Sequence, residues 1–93
     1  MADILENELD PRRRQHLLTW LANQLQRYEL QPTVLGTDDN VVLRVMSPRT
    51  HTTRFIACVP APQVGTWAWV WSTDWALITD PRAVPTIAEA MSA

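Results

Sequence analysis

Gly65-Thr66-Trp67-Ala68-Trp69-Val70-Trp71-Ser72-Thr73-Asp74-Trp75 decides how this chain folds, because it holds four of the five tryptophans and spaces three of them by two. Side chains of an extended strand alternate between faces, so Trp67, Trp69 and Trp71 form one row on a sheet while Ala68 and Val70 point the other way. Each indole buries roughly 150–250 Å² and the row needs a cover. Upstream, Leu17, Leu18, Leu21, Ala22, Leu25 and Tyr28 recur at spacings of three and four. At about 100° per residue they fill an arc of roughly 140°, one buried stripe of a helix over Pro11 to Leu30. Trp20 falls about 60° outside that arc, at the rim of the interface.

Asp10-Pro11 starts the helix, with Asp10 accepting a free backbone N–H and Pro11 at the first helical position, and Gln31-Pro32 ends it. Thr33 to Leu35 is a short strand, followed by the polar turn Gly36 to Asn40 and a β-branched strand from Val41 to Met46. A hairpin loop from Ser47 to Thr52 leads into a strand from Thr53 to Val59, and Pro60 and Pro62, which cannot donate to a ladder, are expected to stop pairing. After the tryptophan strand, Ser72 to Asp74 turn the chain into a last strand, Trp75 to Ile78. Asp80-Pro81 repeats the Asp-Pro device before a short helix, Pro85 to Ser92, that buries Ile87, Ala88 and Met91. Residues 1–9 carry Asp3, Glu6 and Glu8 among Ile4, Leu5 and Leu9, either a docked turn or a loose acidic arm. The order predicts a single α+β domain over residues 1–93. It is a two-layer sandwich with an N-terminal helix, an antiparallel sheet of four to five strands and a short C-terminal helix.

With the indoles turned toward the long helix, the opposite sheet face is expected to collect Val42, Met46, Ile56, Cys58, Ala68 and Val70, with Arg44 and Arg54 as its charged members. That surface is too apolar to be left wet. It is to be covered by the C-terminal helix, by a second copy of the chain or by a protein partner, and Val42, Arg44, Met46, Arg54, Ile56 and Val70 are the candidate contact residues. The inverted arrangement would turn the tryptophans into an exposed stacking platform, but such platforms lie in basic grooves that scattered arginines do not supply.

The chain has 93 residues, a net charge of −2 and 46% hydrophobic residues, enough for one small core and without the basic excess of a nucleic-acid binder. All eight basic residues are arginine, a bias read first as the mark of a GC-rich genome. The single cysteine, Cys58, excludes an internal disulfide, and the acidic start lacks the features of an export signal, so a cytoplasmic setting is expected. No apolar run reaches the roughly 18 residues of a membrane span.

No catalytic, metal or cofactor pattern is legible. His16 and His51 stand 35 residues apart, and two glycines are too few for a phosphate-cradling loop. Cys58 reads as an inert buried thiol, and Asp38-Asp39-Asn40 as a polar turn rather than a cation site. Arg12, Arg13 and Arg14 break a local rule, since cations are disfavoured in a helix's first turn. They are to be satisfied by the acidic arm or, as a lesser reading, to take an anionic partner such as nucleic acid.

The segment from Leu43 to Ile78, with Arg44-Val45 before a Ser-Pro turn, a cysteine in the next strand and Trp-Ala-Trp-Val-Trp after a glycine, resembles small proteins of high-GC actinobacteria. The resemblance implies a bacterial accessory protein in the cytoplasm and carries no activity with it. The functional expectation is a non-enzymatic, chaperone-like interaction module, without cofactor, paired with itself or a protein partner through the apolar sheet face. The alternative is a small-ligand or enzymatic domain whose aromatic pocket is built from Trp20, Tyr28, Trp71 and Trp75.

Overall fold

A computed structural model of the protein describes residues 10, 12–37 and 40–93. The expected arm over residues 1–9, Pro11 at the first helical position and the Asp38-Asp39 pair lie outside the described residues. Helix α1 spans Arg12–Leu25 and passes through a 3₁₀ turn, Gln26–Tyr28, into strand β1, Gln31–Leu35. Strands β2 (Val42–Ser47), β3 (Thr52–Ala61), β4 (Thr66–Trp71) and β5 (Asp74–Leu77) follow, and helix α2, Ala83–Ser92, comes last. The five strands pair antiparallel in chain order, a meander with β3 in the middle. The α+β architecture is the one expected. Among the described residues no helix is long and apolar enough to cross a membrane.

Both helices lie on the face that carries the indoles. Leu18, Leu21 and Leu25 of α1 and Ile87, Ala88 and Met91 of α2 are buried in one cluster with Trp67, Trp69 and Trp71. Leu43 and Val45 of β2 and Ile56 and Cys58 of β3 complete it. Asp10 Oδ1 accepts the Arg12 backbone N–H at 2.9 Å at the start of α1, whereas Asp80 Oδ1 accepts that of Arg82 at 2.9 Å in the turn before α2, whose N-cap, Arg82, has no side-chain cap bond. Helix α2 begins at Ala83, two residues before Pro85. The proline then sits in the first turn, where its missing N–H is one of the donors that no helical carbonyl would take.

Strand β3 runs through Pro60 to Ala61, longer than expected. Pro60 lies level with Trp67 of β4, whereas β2 pairs with β3 only from Thr52 to Ile56. On the side away from β4, no ladder reaches Pro60 to ask for its missing N–H. Gly36, at φ 85°, makes the turn out of β1, where a Cβ would collide with the Asn40 carbonyl oxygen. The two-residue turn from β4 to β5 places Ser72 at φ 50°, left-handed backbone that glycine tolerates better.

Register corrects one expectation. Arg54 and Ile56 stand on the indole side, not the opposite one: Ile56 is level with Trp71, Cys58 with Trp69, and Val45 with Arg54. Directly opposed residues of an antiparallel pair share a face, so Phe55, Ala57 and Val59 take the other side. Ile56 has 0% of its surface exposed and cannot touch a partner. Arg54 reaches the end of α2 instead, where its Nη2 donates to the Ala93 carbonyl oxygen at 3.4 Å, a favourable place for a cation at a helix C-terminus.

Candidate interaction face

The sheet's second face carries neither helix. Its strands place apolar residues of all five on one side: Leu35 is level with Val42, Ala57 with Val70, and Val70 with Trp75, while Val42 and Ala57 each lie one residue beyond the last β2–β3 pair, Leu43 with Ile56. A parallel row of Val59, Ala68 and Leu77 lies toward the β3–β4 turn, and Arg44 beside Phe55 toward the other end. Trp75 is 64% exposed and Phe55 52% exposed; Met46, Val59 and Val64 also stand out into solvent. Phe55 and Trp75 rise around a floor of small side chains, Ala57 and Ala68. Beside them Val59, Pro60, Ala61, Val64, Trp75 and Leu77 line a concavity of about 390 Å³.

Of the six expected contact residues, Val42, Arg44, Met46 and Val70 lie on this face, and Arg54 and Ile56 do not. Phe55, Ala57, Val59, Trp75 and Leu77 belong to it and were not anticipated as contacts. A signal for the β3 set existed. A four-residue loop between Ser47 and Thr52 pairs odd residues of β2 with even residues of β3, which sends Leu43, Val45, Ile56 and Cys58 to one side together.

The four residues of the expected aromatic pocket are not brought together. Trp20 stacks on Trp69 over the helix side, with ring centroids 6.3 Å apart and planes 8° from parallel. Tyr28 is left 44% exposed beside Glu29, Ser47 and Pro48, because the helix gives way to a 3₁₀ turn and the 100° spacing that would have buried it ends at Leu25. Trp71 is buried and borders an open concavity of about 550 Å³ with Arg54, Thr73, Asp74 and Met91. Trp75 points to the opposite side of the sheet.

The first-turn arginines are engaged. Arg12 pairs with Asp10 at 2.6 Å, and this contact, with the backbone bond, holds the Asp10 carboxyl down to about 2. Arg14 Nε donates to the Cys58 carbonyl oxygen at 2.8 Å, and its guanidinium lies 5.5 Å from the centre of the Trp67 ring. Cys58 is buried below, and burial pushes its thiol up to about 12 against the opposing pull of Arg14 and Arg13. No group of three or more His, Cys, Asp or Glu side chains gathers for a metal ion among the described residues. The chain matches no protein family model, no curated protein and no solved structure.

Proposed function

We propose that this chain is a non-enzymatic interaction module that docks a protein partner through the sheet face that neither helix covers. One observation carries it: all five strands contribute apolar side chains to one face, from Leu35 and Val42 through Ala57 and Val70 to Trp75, and Phe55 and Trp75 of that face are more than half exposed. Contiguous apolar patches beyond a few hundred Å² mark binding sites on proteins that otherwise stay monomeric and dispersed. A floor of alanine and valine with an aromatic rim offers area and shape but no reacting group, which favours docking over catalysis. The resemblance of Leu43 to Ile78 to small actinobacterial proteins adds a bacterial, cytoplasmic, accessory setting to this reading.

The test is co-purification of a tagged chain with an untagged copy and with proteins of its host. The double variant Phe55→Glu/Trp75→Glu should keep the melting temperature of its core and lose what the unmodified chain retains. Identical recovery by both would sink the proposal.

A further inference from the structure

We infer that the occupant of the open face is a second copy of this chain, stacked face to face about a two-fold axis that runs along β3. This deepens the docking proposal above and rests on it. Five strands about 4.8 Å apart and about six residues long present roughly 500 Å² in projection. Side-chain relief raises the accessible area toward the roughly 800 Å² per partner that a stable interface uses. Arg44 is the only charged side chain among the strand positions on this face. A near-neutral apolar surface of that kind matches the interfaces that identical chains make, which are more apolar than those between transient partners.

Because β3 is the middle strand, an axis above it gives the greatest overlap in either of two orientations. If the axis crosses the strands, Trp75 meets the partner's Trp75 and Leu35 the partner's Leu35. The tallest side chains then hold the sheets apart at one edge and leave a gap at the other. If the axis runs along β3, each row stacks on itself reversed. Trp75 then covers the partner's Leu35, Val70 the partner's Val42, and Phe55 the partner's Phe55, at the usual sheet separation of about 10 Å.

Sedimentation of the full chain at micromolar concentration tests this, with circular dichroism to check folding. The unmodified chain should be a dimer. Ala57→Glu, at the centre, and Trp75→Glu, at a position so exposed that folding does not depend on it, should each weaken the dimer by about 30-fold or more. Val42→Glu should weaken it, and Val70→Arg added to it should restore it, because in this orientation Val70 covers the partner's Val42. A dimer indifferent to both central charges, or a charge exchange without rescue, overturns the inference. A monomer that binds an apolar dye such as anilinonaphthalene sulfonate, with binding lost in Trp75→Glu, overturns the second copy while leaving the docking face. A monomer that binds no dye overturns both.

Discussion

Cys58 shows how one position acquires its chemistry from its surroundings. Its thiol lies under Arg14 and level with Trp69, in the core, so desolvation outweighs two arginines and the thiol stays protonated. With a folded value of about 12 above the ordinary 9.0, the native state keeps a proton that the unfolded chain gives up. Its contribution to stability is complete below about pH 9 and is lost as pH climbs toward 12. Cys58 is accordingly expected to resist iodoacetamide at pH 8 in the native protein and to react at once in denaturant. Rapid native labelling would show that the thiol is neither buried nor neutral. Trp69 adds a second lesson: it is fully buried, stacks on Trp20, and its indole N–H has no hydrogen-bond partner among the described residues. An unpaired buried donor costs about 1–3 kcal/mol, so area and ring contact must outweigh it.

At the scale of the element, strand β3 divides its residues between a core and an open surface, and energetics should follow the division. Ile56 is level with Leu43 and Trp71 in the core, and Ile56→Ala is expected to cost about 2–5 kcal/mol of stability by transfer and cavity effects. Phe55, one residue away on the open side, should cost less than about 0.5 kcal/mol when changed to alanine in the Trp75→Glu background, where self-association plays no part. Denaturant unfolding of both variants checks this. Equal losses would mean that Phe55 is covered. Alternation alone did not disclose the split, since both sets of β3 side chains are apolar and either could have been the core set.

The whole molecule is a two-layer domain with both helices on one side. Helix α2 had two sheet faces to choose from, and it joined α1 over the indoles. If the bare face pairs with a second copy, folding and association are one equilibrium. A tenfold rise in concentration then adds about 1.4 kcal/mol to dimer unfolding and about 2–4 °C to the melting temperature of an assembly this size. Thermal scans across two decades of concentration should show that climb in the unmodified chain and a flat line in Trp75→Glu. A flat line in both would leave the bare face without a second copy.

Periodicity and local chemistry were enough to establish the order of elements, the helix start at Asp10 and the inward turn of Trp67, Trp69 and Trp71, because each depends on residues close in the chain. The phase of β3, the resting place of α2 and the dispersal of Trp20, Tyr28, Trp71 and Trp75 were settled only when the strands paired and the helices docked. A side chain's face in a sheet depends on the register it shares with its neighbours. A one-residue shift, which alternation in a single strand cannot detect, moves every side chain to the other surface.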